Sequence, residues 1–232
     1  MRVLVLWLAD DRRGRGARRS DCLLAEAVVA VWQARRMTIA VGEDFSDAVL
    51  TGQEWDGRSF ERCDFTDADL RGLRTTSCVF TECTFTGTDL GESVHRATAF
   101  RSCRFERTVL QHSTVEGCTM LGSGFVDCRF RPLTVRETDM TLVGMGRSDL
   151  RGTNLSGIRF REANLGECDL RECDLREADL SGARLLGTRL EEADLRGARI
   201  DADGLVQAVL RGARVDSMTA LAFAAAHGLH VD

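Results

Sequence analysis

From Phe45 to Val215 an apolar residue returns at every fifth position. Of the 35 positions so defined, 33 are Leu, Phe, Met, Val, Ile or Trp; the exceptions are Thr75 and His95. A helical period of 3.6 would leave this register within two turns, and a strand period of 2 would alternate, so neither describes the chain. A fixed short repeat sustained this long predicts a solenoid, in which each unit buries its apolar side only against its neighbours. The residue two before each centre is usually small: Ala48, Ala68, Ala163 and Ala178, or Cys63, Cys83, Cys103 and Cys168. One large and one small inward residue per five suits a narrow four-sided tube. The other three positions are mostly polar, as solvent-facing positions require. ECDLRECDLREADLSGARL, residues 167–185, shows the pattern without interruption.

The aromatic residues set the length of one coil. Phe65, Phe85, Phe105 and Phe125 are spaced by 20, as are Phe60, Phe80 and Phe100. Like side chains stack well on themselves, so four five-residue units are expected to make one coil and 35 to make almost nine. At a β spacing of about 4.8 Å the rod would be roughly 40 Å long. Thr75 and His95 fall in one column with Trp55, and the other three columns are apolar throughout. The expected organisation is a basic N-terminal segment over 1–42, a repeat over 43–217, and a C-terminal helix and tail over 218–232. In DSMTALAFAAAHGL, Asp216 or Ser217 is the expected N-cap and Gly228 the C-terminal stop. That helix is apolar nearly all round, which predicts burial. The last coil can cover one side, so Met218, Leu221, Ala222, Phe223 and Ala225 are expected to meet a second copy of the chain.

Charge alters this picture in one respect. The formal net charge is −5, yet residues 1–36 hold eight Arg against four acids, and residues 37–232 hold 23 Arg against 32 acids. The rod is therefore acidic (net −9) and the segment before it basic (net +4). Such a rod should repel nucleic acid and attract a protein with a basic groove; the alternative reading is that its charge serves solubility alone. A 40 Å stretch of B-DNA carries on the order of 24 charges, so any imitation of DNA has to be local. The acids singled out for it are Glu162, Glu167, Asp169, Glu172, Asp174, Glu177, Asp179, Glu191, Glu192 and Asp194 on the late coils. The N-terminal segment reads either as a cap on the open end of the solenoid or as sequence upstream of a start at Met37.

Catalytic chemistry finds little support. Eight of the nine cysteines take the small inward position, where cysteine acts as a small hydrophobe, and no Cys/His metal spacing occurs. His95 takes a centre position and reads as a packed, neutral core residue. The fragments GRG (14–16), LGSG (121–124) and GMG (144–146) lack phosphate-loop spacing. Neither an enzyme, a cofactor nor a small-molecule substrate is expected. No run of 18 apolar residues predicts a membrane span, and VLVLWLA has its positive charge on the wrong side for a secretory signal, so a cytoplasmic protein is expected.

Several segments carry a closer likeness than the repeat itself. RSCRFERTVLQHSTVEGCTMLGSGFVDCRFRPLTV (101–135), DLRGTNLSG (149–157), READLSGARL (176–185) and ARVDSMTALAFAAAHGL (213–229) resemble the MfpA-like branch of the pentapeptide-repeat family, the mycobacterial fluoroquinolone-resistance proteins. The likeness spans about 52–230 and includes Pro132 and the AFAAAHGL helix, which are not part of the repeat. It implies an all-β solenoid, a right-handed quadrilateral β-helix that dimerises through its C-terminal helix. It further implies a DNA-mimicking rod that binds the DNA-gripping saddle of DNA gyrase, inhibits the enzyme and shields it from quinolones or other gyrase poisons. The chain departs from that branch by its additional residues 1–51, and it lacks the projecting loops of the related Qnr proteins. The alternative expectation is a scaffold rod for another protein partner, such as a small GTPase.

Overall fold

The computed structural model describes residues 39–230, and those residues form a parallel β-solenoid closed at its C-terminal end by two short helices. Every pairing between coils is parallel and offset by 20 residues, as the aromatic spacing predicts. The four columns of centres define four faces. Face 1 holds residues 40, 60, 80 and onward, face 2 begins at 45, face 3 at 50 and face 4 at 55. On face 1 the ladder runs unbroken through the strands Ile39–Val41, Ser59–Glu61, Val79–Thr81 and Ala99–Arg101, then by single bridges to Asp179, and ends in the paired strands Asp179–Leu180 and Arg199–Ile200. The repeat thus begins before residue 43, because Ile39, Ala40 and Val41 already pair with Ser59, Phe60 and Glu61.

Two backbone features make a five-residue unit turn a corner. The residue two after each centre has a left-handed backbone, with φ between 46° and 77° across the coils, except at Pro132 and beside the short helix at Ala202 and Gln207. At most corners the next residue then donates its N–H to the carbonyl of the centre, as Ala68 does to Phe65 at 3.1 Å and Ala163 to Phe160 at 3.1 Å. A positive φ at the second central residue and a bond across four residues make a type II turn. Glycine takes this conformation without a Cβ penalty, which is why it recurs there, at Gly52, Gly72, Gly152 and Gly182 among others.

The interior is filled by its own side chains. Phe45, Phe65, Phe85, Phe105 and Phe125 stack with centroids 4.6–5.0 Å apart and rings within 7° of parallel. Rings of the adjoining column meet them edge to face, as Phe60 meets Phe65 at 70°. The irregular column is repacked locally. Thr75 is small, and Leu73, two residues before it, is large and fully buried, so the large and small roles are exchanged in that unit. His95 is buried between hydroxyls, with Nδ1 2.8 Å from Thr75 Oγ1 and Nε2 2.9 Å from Ser93 Oγ.

The ladder has one interruption among the described residues. On faces 3 and 4 no bridge joins Arg129 to Asp149 or Thr134 to Asn154, whereas faces 1 and 2 continue past this level. Pro132 lies between the two unpaired positions and has no N–H to give a ladder. Met120, Met140 and Met145 line the interior at this level, where adaptable side chains suit an imperfect stack.

The C-terminal end contains one element that the periodicity does not predict. Residues Ala202–Val206 form a short helix, α1, yet Leu205 still fills a centre position and the offset of 20 is kept beyond it, with Arg189 pairing with Val209. The second helix, α2, spans Ser217–Ala226 and packs against α1. Asp216 is its N-cap and accepts from the Thr219 N–H at 2.8 Å. At its other end the Gly228 N–H reaches the Ala225 carbonyl at 2.9 Å and the Leu229 N–H reaches that of Ala224 at 3.0 Å. With Gly228 at φ 78°, these bonds form a Schellman motif. No helix among the described residues is long and apolar enough to cross a membrane.

Candidate partner-binding surface

With the tube filled, the chemistry of the rod lies on its outer faces and at its ends. The ten acids singled out on the late coils are spread over all four faces, though seven lie on the adjoining faces 3 and 4. They fall into three classes. Asp169, Asp174 and Asp194 stand just before their centres and are each held by the arginine just after it. Arg171 donates to Asp169 at 2.8 and 2.6 Å, Arg176 to Asp174 at 2.9 and 2.6 Å, and Arg196 to Asp194 at 2.8 and 2.6 Å. These forked bonds hold the three carboxyls below the usual carboxylate range, that of Asp194 at about 2. The acids are fully ionised, but each carries its counter-charge on the same face.

The second class is engaged in other ways. Asp179 is buried at 8 % exposure and accepts from the Ser181 N–H and hydroxyl. Glu191 accepts from Arg189 at 3.2 Å, and Glu167 from Arg147 of the coil below at 3.0 Å. The third class is Glu162, Glu172, Glu177 and Glu192. All four are exposed, stand at left-handed corners with φ of 55–60°, and enter no ion pair among the described residues. Glu172 and Glu192 lie one coil apart on the same corner, whereas Glu162 and Glu177 lie on others. The late coils therefore offer four uncompensated glutamates, not an acidic sheet.

The larger excess of acids over arginines lies elsewhere. Residues 39–100 hold twelve acids against five arginines, a net of −7, and residues 101–216 hold 19 acids against 18 arginines, a net of −1. Face 2 carries Asp44, Asp47, Asp64 and Asp67 on its first two coils and no arginine until Arg104. Asp64 accepts from the Thr66 N–H and hydroxyl at 2.9 and 2.6 Å, a neutral partner where the late coils use arginine. Counting charge coil by coil along the sequence finds this gradient, whereas the total of −9 for the whole rod conceals it.

The C-terminal helix is less buried than its composition predicts, for none of its residues is fully buried in the single chain. Phe223 is half-buried and lines a groove with Leu205, Leu210, Ala213, Val215 and Thr219, so it faces the last coil. Met218 and Leu221 are 73 % and 42 % exposed, and Ala222 and Ala225 are exposed beside them. A helix lying across the end of a tube can bury only one stripe, and the opposite stripe is left to solvent in the monomer. Among the described residues no group of His, Cys, Asp and Glu is placed to hold a metal ion.

Comparison with known proteins agrees with this architecture. Repeats of the family described as pentapeptide repeats match in eight copies, including residues 44–74, 59–94, 145–176 and 158–197. The pentapeptide repeat protein MfpA of Mycobacterium tuberculosis (strain ATCC 25618 / H37Rv) is 59% identical over 51 residues, 22% of this chain. That match spans only 28% of the relative's length. Among solved structures, a trypsin-treated form of QnrB1, a plasmid-mediated fluoroquinolone resistance protein, superposes with a TM-score of 0.74. The superposition covers 84% of this chain and 98% of that one at 19% identity. Full-length QnrB1 gives 0.53 at 15% identity, and at these identities the likeness concerns the fold. The five-residue register, the four-sided parallel solenoid and the repeat matches together make this chain a member of the pentapeptide-repeat family.

Proposed function

We propose that this chain is a DNA-mimicking rod that binds DNA gyrase at its DNA-gripping saddle, inhibits it, and thereby protects it from quinolones or other gyrase poisons. The observation that carries the reading is the 51-residue stretch 59% identical to MfpA, a sequence likeness beyond that of the shared fold. The negative rod supports it, since a basic groove attracts an acidic surface at long range. The exposed stripe Met218, Leu221, Ala222 and Ala225 supports dimerisation through α2, which would place the late coils at the centre of a double-length rod. In that arrangement Glu162, Glu172, Glu177 and Glu192 supply the local charge near the seam, and the first coils supply more at the tips.

The test is supercoiling by a cognate gyrase, titrated with the wild type and two variants. One replaces Glu162, Glu172, Glu177 and Glu192 by Gln, and the other replaces Asp47, Asp64 and Asp67 by Asn. The wild type should inhibit, with an affinity that falls steeply as salt rises, because exposed charges are screened beyond a Debye length. Weakened inhibition by the first variant places the contact at the seam, and weakened inhibition by the second places it on the first coils. Full inhibition by both variants, or a flat salt response, would remove mimicry by these acids. No inhibition by the wild type at micromolar protein would favour a scaffold rod for a different protein partner, such as a small GTPase.

A further inference from the structure

One level of the rod lacks the bonds that join the coils above and below it. From Asp127 to Glu137 no backbone N–H reaches the coil above. One level lower, Arg107 donates to the Val126 carbonyl at 2.8 Å and Leu110 to that of Arg129 at 2.7 Å. One level higher the same positions are bonded again, Arg147 to Gly166 at 3.0 Å and Leu150 to Asp169 at 3.0 Å. The ladder resumes at Arg159, whose N–H reaches the Thr138 carbonyl at a long 3.4 Å.

The corner at Pro132 gives the reason. The other residues of its column are Gly52, Gly72, Glu92, His112, Gly152, Glu172, Glu192 and Gly212, all with φ between 59° and 77°. Proline is held at a φ of about −65°, so it cannot take this corner, and it has no N–H for the ladder. The gap that results is open to solvent. Of the residues two before their centres between 63 and 178, all are buried except Cys128 and Leu133, which are half-buried.

We propose that this level is a hinge, with faces 1 and 2 as its pivot and faces 3 and 4 as the side that opens. The interior suits motion here. The column of stacked rings ends at Phe125, and the three buried methionines, Met120, Met140 and Met145, lie at this level. Unbranched thioether side chains repack readily where stacked rings do not. On the pivot side Gly124 bridges Gly144, so no outward side chains jam against each other as the coils tilt. On the opening side, the one ion pair across the gap among the described residues joins Arg131 to Asp149 at 3.6 Å. Both partners are largely exposed, and such a pair holds little.

The hinge divides the charge of the rod as well as its length. The acidic coils of residues 39–100 lie on one side of it, and the Asp–Arg paired coils with α2 lie on the other. A partner that grips the acidic coils therefore sets their angle to the α2 end without breaking any ladder bond on faces 3 and 4. This holds whatever the partner of the rod is.

Distances between nitroxide labels read the motion in the full-length protein, in a Cys22→Ser/Cys128→Ser background. Ser77→Cys/Glu177→Cys places one pair on exposed corners of face 4, five coils apart and on opposite sides of the gap. Asp47→Cys/Asp127→Cys places a control pair four coils apart below it. The distance distribution of the spanning pair should be about twofold wider than that of the control, as rotation about a hinge requires. Equal widths would overturn the hinge. Pro132→Gly restores an N–H and a residue that accepts the corner, and it should narrow the spanning pair to the control width. A width unchanged by that substitution would overturn the assignment of the hinge to this level. Hydrogen exchange on the unlabelled protein reads the same level without substitutions. Amides over residues 127–137 should exchange faster than those over residues 107–117, and equal protection would overturn the proposal.

Discussion

At the residue scale, the inward small position is more than a matter of size. Its hydroxyls and thiols donate to the carbonyl of the centre residue 23 positions earlier: Thr88 to Phe65 at 2.7 Å, Ser113 to Leu90 at 2.7 Å, and Cys78 to Trp55 at 3.3 Å. Cys, Ser and Thr interchange there because each is small and brings a donor. Burial pushes the thiols of Cys78, Cys118, Cys128 and Cys168 up, that of Cys168 to about 11, so these stay protonated near neutral pH. Burial acts on His95 in the other sense, lowering it from 6.5 to about 4, so the folded imidazole is neutral across the physiological range. The unfolded chain binds this proton at a higher pH than the folded one. Stability is therefore full above pH 6.5 and is lost as the pH falls from 6.5 toward 4, by about 3 kcal/mol in total. Urea unfolding at pH 7 and pH 4.5 should show this loss in the wild type and much less of it in His95→Gln; equal slopes would disprove it. Leu142 gives a second prediction. It occupies a left-handed corner with φ 59° and is half exposed, a conformation that costs a non-glycine residue about 1–2 kcal/mol. Leu142→Gly should raise stability by about 1 kcal/mol in calorimetry, and a loss would show that the Leu142 side chain contributes more than its backbone costs.

At the scale of the element, the solenoid holds its helices by a shared device. Asp201 begins α1 and accepts from the Gly182 N–H of the coil below at 2.7 Å, and Asp216 begins α2 and accepts from the Gly197 N–H at 3.1 Å. Each aspartate thus ties the start of a helix to a corner of the preceding coil. Asp216 does so while capping α2, and the Thr219 and Gly197 amides hold its carboxyl below the usual range. Asp216→Ala should cost about 1 kcal/mol and loosen the docking of α2. Faster amide exchange over residues 218–226 with unchanged exchange over residues 150–190 is the expected reading. Unchanged exchange in both would mean that Phe223 alone holds the helix. The break in the ladder beside Pro132 belongs to this scale too, since it leaves two faces unpaired at one level while two continue.

For the molecule as a whole, charge and ends matter more than any single side chain. The arginines of the late coils neutralise most of their acids in place, and the first coils are left as the acidic part of the rod. Dimerisation through α2 would join two rods at their nearly neutral ends and leave the acidic ends outermost. Sedimentation at micromolar concentration should find a dimer for the wild type and a monomer for Met218→Glu/Leu221→Glu, both of which change exposed positions. A monomeric wild type would remove the dimer from the proposal without affecting the fold.

The sequence by itself determined the rod: the register, the four columns, the 20-residue coil and the inward place of the cysteines. It could do so because a solenoid is held by contacts between near-identical units, so one local rule, repeated, contains the tertiary contacts. The N-cap at Asp216 and the stop at Gly228 were legible for a related reason, since capping is settled within a few residues. Only the tertiary structure decided which acids are compensated, because an Asp–Arg pair depends on side chains meeting across one face and between coils. It also decided that Phe223 turns onto the last coil while Met218 and Leu221 face solvent. A helix apolar on nearly every side has no pattern of its own to say which stripe docks, and the groove left by Leu205, Leu210 and Val215 made that choice.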